Sequence, residues 1–199
     1  MHSENELGYQ TRSDGFGILY GEIAGALIER CGRNGMGIVR KAVATYGKKK
    51  GKRLREQYMG SGVRTDLHNL MAAEDGCWKD PRTLKKTVRD TPEAQLWEIY
   101  SCPLEKNWRD RGREEAGRLY CEEYLHALMD GYGEGAGQAN VSNSKTCRRD
   151  DRCVMAMYCR TANQNETQKG TGDGNGIIRE IPVEESTLLL YRCFIEVMK

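Results

Sequence analysis

The chain has 199 residues, of which 30% are charged and 38% apolar, and it contains eight cysteines. This length fits one domain, and the net charge of +2 creates no global field that would attract nucleic acid or an anionic membrane surface. No apolar run reaches the roughly 18 to 20 residues of a membrane span, and the acidic, polar start does not resemble a signal peptide. The sequence therefore predicts a cytoplasmic protein that binds neither nucleic acid nor membranes, in a compartment that disfavours structural disulfides.

The first third of the chain is predicted to be helical. Apolar residues recur at three- and four-residue steps from Ile18 to Cys31, which indicates an amphipathic helix that ends at Gly32. A second helix is predicted from Gly37 to Tyr58, with Gly47 and Gly51 on its apolar stripe. Because glycine costs about 1 kcal/mol of helix propensity relative to alanine, the pair indicates close approach of another backbone. That backbone lies within the chain or, as an alternative, across a homo-oligomer interface.

The second helix carries the most basic stretch of the chain. Its members are Lys48, Lys49, Lys50, Lys52, Arg53 and Arg55. A solvated helix face is the favoured interpretation, and binding of phosphate or an acidic partner is the alternative.

Strands and helices alternate in the middle of the chain. Four strands are predicted in two pairs, at 83–88, 94–101, 139–147 and 153–160. A short helix capped by Asp66 precedes the first pair, and a long helix over 105–132 separates the pairs. Cys102 and Pro103 stop the second strand. Both faces of the last strand are apolar, so we expect it at the centre of the sheet.

The predicted organisation has four parts. Residues 1–17 form a flexible N-terminus, 18–160 the domain, 161–176 a polar, glycine-rich loop and 177–199 a C-terminal extension. The extension forms a strand and a closing helix, or two strands. The predicted fold class is α+β, with N-terminal helices and a long central helix packed on one side of an antiparallel sheet.

The long helix carries two candidate sites. Cys121 and His126 lie about 140° apart around its axis, so they cannot form a dyad within the helix. Cys121 is either a buried structural thiol or a catalytic thiol at a pocket wall. Glu122, His126 and Asp130 share one face, which is typical of a solvated face, of an oriented general base or of a divalent metal site, with His68 as a second histidine.

The hairpin carries a candidate cysteine pair. A five-residue loop would place Cys147 directly opposite Cys153. The two thiols pack as small residues, form a reversible disulfide or share a metal, for which Cys102 or Cys121 would supply a further ligand.

Several short motifs carry a family resemblance. They are Ala44-Thr45-Tyr46-Gly47, Gly51-Lys52-Arg53-Leu54, Ser101-Cys102-Pro103-Leu104, Leu119-Tyr120-Cys121-Glu122, Gly131-Tyr132 and the hairpin cysteines Cys147 and Cys153. Over residues 18–160 the chain resembles the L-2-amino-thiazoline-4-carboxylic acid hydrolase family. The order of its elements is also similar to that of 4-vinyl reductase-like small-molecule-binding domains.

The resemblance implies hydrolysis of a small cyclic amidine or amide. In the family's named reaction water adds at the ring carbon between nitrogen and sulfur, and the C–S bond breaks to give N-carbamoyl-cysteine. This needs an attacking water or thiolate, a proton donor for the sulfur and a cation for the carboxylate. By residue type and motif position the candidates are Cys121 or Cys102 as nucleophile, His126 or His68 as base with Glu122 beside them, Arg118 or Arg160 as carboxylate clamp, and Cys153 as a further substrate contact.

A non-catalytic small-molecule-binding or sensing domain of the same fold is the alternative function. An enzyme needs reactive side chains that converge in one pocket, whereas a binding domain needs an apolar cavity with few polar anchors. The sequence leaves the cofactor unknown, with a divalent metal as one option.

Overall fold

A computed structural model describes residues 4–61, 64–73, 77–142, 150–164 and 181–199. The helices of this part of the chain are α1 (Glu4–Ser61), α2 (Leu67–Ala73), α3 (Pro103–Asp110), α4 (Glu114–Gly133) and α5 (Val183–Met198). The strands are β1 (Leu84–Thr91), β2 (Ala94–Ser101), β3 (Gly137–Ser142) and β4 (Cys153–Cys159). The α+β prediction is confirmed. None of the described helices combines the length and apolar character that crossing a bilayer requires.

The strands form one antiparallel sheet in the order β1-β2-β4-β3. The predicted central position of β4 is confirmed, since Met155 lies opposite Trp97 of β2 on one side and Val141 of β3 on the other. Cys153 pairs with Ile99 of β2. Its predicted partner Cys147 lies outside the described residues.

Helix α1 folds back on itself at Gly32. This residue has φ 55° and ψ −128°, a left-handed conformation that glycine adopts without strain, so the helix breaks at the predicted position. The resulting arms, 4–31 and 33–61, run antiparallel and pack against each other. The ring of Phe16 on the first arm lies 6.4 Å from that of Tyr46 on the second.

The first arm of α1 begins at Glu4 rather than at the predicted Ile18. Tertiary contacts hold this polar stretch: Arg82 and Asn107 both donate hydrogen bonds to the carboxylate of Asp14, at 2.9 and 2.8 Å. Hydrophobic periodicity reflects only neighbouring residues and does not reveal such contacts. The predicted helix therefore started too late.

The second arm of α1 packs against α4 at its glycine stripe. A Cβ atom on Gly47 would lie 2.7 Å from the carbonyl oxygen of Tyr124, and one on Gly51 would lie 2.2 Å from that of Leu128. The predicted close backbone approach is therefore present within the chain. These glycines give no support for an interface between chains.

We expect Gly51→Ala to destabilise the protein by at least about 2 kcal/mol, because α1 and α4 must move apart to admit the new methyl group. Gly37→Ala is the matched control on the same arm, since nothing lies within 4 Å of its ideal Cβ position. It should raise the free energy of unfolding by about 0.5–1 kcal/mol through helix propensity. Urea denaturation of both variants measures the contrast, and equal stabilities would contradict the packing described.

The prediction of a single long helix over 105–132 is wrong, because the helix is interrupted between α3 and α4. Gly112 has φ 66°, and the backbone N–H of Arg113 donates to the carbonyl of Trp108 at 2.7 Å, which closes α3. Helix α3 packs across the first arm of α1, where the Trp108 indole N–H donates to Gly17 O at 2.9 Å. The break therefore turns α3 back over the core.

Helix α5 closes the structure, so the predicted closing helix of the C-terminal extension is confirmed, while most of the strand predicted before it lies outside the described residues. It packs on α1 and buries Cys193 and Phe194. Lys49 of the second arm pairs with Glu196 at 2.5 Å, and Arg53 pairs with Glu185.

Candidate functional site

A cavity lies between the two arms of α1 and is closed by α3, α4, β4 and α5. We call it the central cavity; its volume is about 80 Å³. That space is enough for roughly five to eight waters or one small organic molecule. Aromatic side chains are the largest group in its wall: Tyr9, Phe16, Tyr46, Trp78, Trp108, Tyr120 and Tyr124.

The aromatic wall is built as a packed stack. The rings of Tyr46 and Tyr120 lie on either side of Tyr124, with centroids 5.5 and 5.0 Å away and planes tilted by only 22° and 17°. Phe16 meets Tyr120 edge-on at 5.8 Å. Such packing holds the wall rigid and presents flat apolar surfaces to a ring-shaped ligand.

The cavity also receives a small set of polar and nucleophilic side chains from five parts of the fold. They are Arg12, Ser13, Lys50, Cys102, Cys121 and Ser186. A mostly apolar pocket with a few convergent polar groups is the usual form of a small-molecule site.

Lys50 brings a positive charge into the aromatic wall. Its side chain is 2% exposed, and Nζ lies 5.8 Å from the ring centroid of Tyr124 and 6.0 Å from that of Tyr46. A buried ammonium group is costly unless anions, hydrogen bonds or aromatic faces compensate it, and the two tyrosine rings supply part of that compensation here.

The interpretation of the whole basic stretch as a surface feature is therefore wrong. Lys50 follows Tyr46 by four residues and precedes Leu54 by four, so it lies on the buried stripe of α1. Lys48 and Lys52 lie off this stripe and remain exposed. The four-residue spacing from Tyr46 and Leu54 could have predicted that Lys50 is buried. Its place in a run of basic residues favoured a surface position instead.

Cys102 lies where β2 ends and α3 begins. It is the N-cap of α3, with extended backbone angles of φ −134° and ψ 118°, and Pro103 starts the helix. Proline suits the first helical position, so the Cys-Pro pair turns the strand directly into a helix. A thiol at a helix N-terminus has its thiolate form favoured by the helix dipole.

Cys121 reaches the cavity from α4. It shares the cavity-lining face with Tyr124 and Leu125, as helical geometry predicts. Burial is the main cause that raises the pKa of the Tyr20 hydroxyl, and a negative charge on Cys121 would raise it further. The positive charge of Arg40 lowers the same pKa by a smaller amount. Tyr20 therefore stays neutral behind the wall.

The structure thus brings together two of the predicted site residues, Cys102 and Cys121. The two histidines are not part of the cavity lining. His126 is exposed on α4, on the opposite side from Cys121, and His68 is an exposed residue whose Nδ1 lies 3.2 Å from Asp90.

The predicted polar face of α4 is an ion-paired surface. Glu122 pairs with Arg40 at 2.5 Å and with Arg118, while Asp130 pairs with Lys48 at 2.8 Å. In the described part of the chain no three His, Cys, Asp or Glu side chains are grouped closely enough to hold a metal ion.

The remaining candidates also lie away from the cavity lining. Arg118 is held by Glu115 and Glu122, and Arg160 is exposed, 5.8 Å from the ring of Tyr158. Cys153 is buried at the start of β4, where only its neighbour on the same face, Met155, reaches the cavity.

An ion-pair network fixes the turn that carries Trp78. Burial opposes ionisation of Asp80, but hydrogen bonds from Arg82 and Ser13 outweigh it and hold the pKa of that carboxyl below its usual value. Arg82 also binds Asp14 of α1. The network ties the turn to the first arm, and so positions one wall of the cavity.

Thiol labelling separates an exposed cysteine from two cysteines of the core. Burial raises the pKa of Cys159 and of Cys193, while Cys31 is exposed. Near neutral pH we expect iodoacetamide to alkylate Cys31 rapidly and the two buried thiols only after unfolding, because the thiolate is the reactive form. Peptide mass spectrometry follows each site, and rapid native labelling of Cys193 would contradict the packing of α5.

Comparison with known proteins gives one match. Neither the curated proteins nor the solved structures contain a significant match to this chain. The family model of L-2-amino-thiazoline-4-carboxylic acid hydrolase matches residues 16–156, which include α1 from Phe16 onward, the Cys-Pro junction, Cys121 and most of β4. The chain belongs to the L-2-amino-thiazoline-4-carboxylic acid hydrolase family.

Proposed function

We propose that this protein hydrolyses a small cyclic amidine of the 2-amino-thiazoline-4-carboxylate class in the central cavity. The observation that carries the proposal is the convergence of two thiols, Cys102 and Cys121, and one buried ammonium group, Lys50, on a single cavity of small-molecule size. The family membership supplies the reaction class.

The cavity offers complementary surfaces to both ends of such a molecule. We assign Lys50 to the carboxylate, because it is a cation of the lining and a charge-assisted hydrogen bond to a carboxylate is stronger than a neutral one. Arg12 is a second cation of the lining, with Glu184 at 3.8 Å. The apolar, aromatic-rich lining suits the planar amidine. Arg118 and Arg160 have no place in this arrangement.

The first chemical step is attack by Cys102. Its thiolate sulfur bonds to the ring carbon between nitrogen and sulfur, and the ring C–S bond breaks. The leaving sulfur takes a proton from the Cys121 thiol, and the product is an open-chain isothiourea attached to Cys102. Two thiols have similar proton affinities, so this transfer has little thermodynamic cost.

The second step releases the product. Water adds to the isothiourea carbon, giving its proton to the Cys121 thiolate, and the Cys102 thiolate leaves. The net change is addition of one water to the substrate, which yields N-carbamoyl-cysteine and restores both thiols. Cys121 thus performs the acid and base work that residue type alone assigned to His126 or His68.

Turnover of 2-amino-thiazoline-4-carboxylate tests the proposal. The purified protein is incubated with this compound, with and without added divalent metal, while thiol release is followed colorimetrically and the product by mass. We expect one thiol per substrate consumed. Saturable binding without thiol release in any condition would contradict the proposal and support a binding or sensing domain instead.

A further inference from the structure

Ser186 presents an unexplained polar group at the central cavity. The residue is 3% exposed and lines the cavity from the first turns of α5. Its Oγ is enclosed and has no hydrogen-bond partner among the described residues. Enclosed hydroxyl groups almost always have a partner, so this one indicates that something else occupies its hydrogen-bonding position.

The wall that carries Ser186 lies outside the family-matched segment. That segment is 16–156, whereas the cavity is also lined by Tyr9, Arg12 and Ser13 before it and by Val183 and Ser186 after it. Ion pairs hold α5 against both arms of α1: Glu184 of α5 lies 3.8 Å from Arg12 of the first arm, and Glu185 of α5 pairs with Arg53 of the second. The closing wall therefore lies outside the matched segment, and it contacts the same space as Cys102 and Cys121.

We propose that Ser186 is a specificity-determining residue that accepts a hydrogen bond from an N–H group of the bound amidine. The inference rests on the proposed function and assigns one end of the substrate. Lys50 and Arg12 only donate hydrogen bonds, so they suit the carboxylate end. The amidine end carries N–H donors that need an acceptor, and the serine oxygen has two lone pairs to offer.

A paired-ligand experiment tests this assignment. The probes are 2-amino-thiazoline-4-carboxylate and its 2-methyl analogue, in which a methyl group of similar size replaces the amino group. Dissociation constants are measured by calorimetry for the wild-type and Ser186→Ala cavities, both in a Cys102→Ala background in which we expect no ring opening, and melting temperatures are recorded without ligand. Thr187→Val is the matched control, because the adjacent hydroxyl of Thr187 donates to Val183 O at 2.7 Å and does not line the central cavity.

We expect the wild type to bind the amino compound more tightly than the methyl compound. Ser186→Ala should lower the ratio of the methyl compound's Kd to the amino compound's Kd about tenfold. Its melting temperature should be equal or higher, because no internal hydrogen bond is lost. Thr187→Val should keep the wild-type ratio. A wild-type ratio in Ser186→Ala, or a lower melting temperature with an unchanged ratio, would overturn the inference alone. Failure of the wild type to bind or open the amino compound would overturn the proposed function, and the inference with it.

Discussion

Replacing Cys102 with alanine should abolish ring opening while leaving the fold intact. We expect the turnover rate to fall by a factor on the order of 10³ or more, as when other covalent nucleophiles are removed. Cys121→Ala should reduce the rate by about 10²-fold, because it removes the base that takes a proton from water in the second step and leaves the attacking atom in place. Steady-state kinetics on 2-amino-thiazoline-4-carboxylate, with circular dichroism to confirm folding, makes the comparison.

Two controls sharpen this experiment. Cys31→Ala removes an exposed thiol far from the cavity lining and should keep full activity. Cys102→Ser keeps the shape of the side chain but replaces the thiolate with a hydroxyl that is hardly ionised at neutral pH, so it should be nearly as inactive as the alanine variant. Full activity in Cys102→Ala with loss of activity in Cys121→Ala would show that Cys102 is not the nucleophile and would point to Cys121 instead. Full activity in both variants would remove thiols from the mechanism.

The second large effect concerns the substrate carboxylate and Lys50. Lys50→Met replaces the buried ammonium group with an apolar side chain of similar length. We expect kcat/KM for the carboxylate substrate to fall about 100-fold, since a charge-assisted contact inside a mostly apolar cavity contributes more than a surface ion pair. Activity on 2-amino-thiazoline, which lacks the carboxylate, should change by less than about threefold.

Lys52→Met is the matched control for this substitution. It removes one positive charge two residues away on the same arm of α1, from an exposed side chain that lies 3.7 Å from Glu56. Kinetics on both substrates should match the wild type. An equal loss on both substrates in Lys50→Met would show that Lys50 supports the wall and does not recognise the carboxylate.

Elements with a strong local signal were predictable from sequence. Gly32 marks the turn of α1, Asp66 accepts the N–H of Asn69 at 3.0 Å as a helix cap, and Cys102-Pro103 ends β2. In each case the chemistry of one or two residues determines the backbone locally. The glycine stripe of α1 was equally informative, because only a close helix contact explains its cost.

Features that depend on distant contacts were not predictable in the same way. The break at Gly112 depends on how Trp108 packs against α1, and the apolar positions on either side of it continue as one helix in the sequence. The choice between cysteine and histidine partners likewise depends on which faces the tertiary fold turns inward. Cys121 and His126 are five residues apart on one helix, yet only the thiol lines the cavity.

The covalent intermediate is the most direct test of the mechanism. Wild-type and Cys121→Ala proteins are mixed with 2-amino-thiazoline-4-carboxylate, quenched in acid within the first turnover and analysed by intact-mass and peptide mass spectrometry. The isothiourea retains every substrate atom, so we expect a mass increase of one whole substrate molecule, located on Cys102 and accumulating most in Cys121→Ala. Full turnover with no adduct on Cys102 at any time would contradict attack by this thiol.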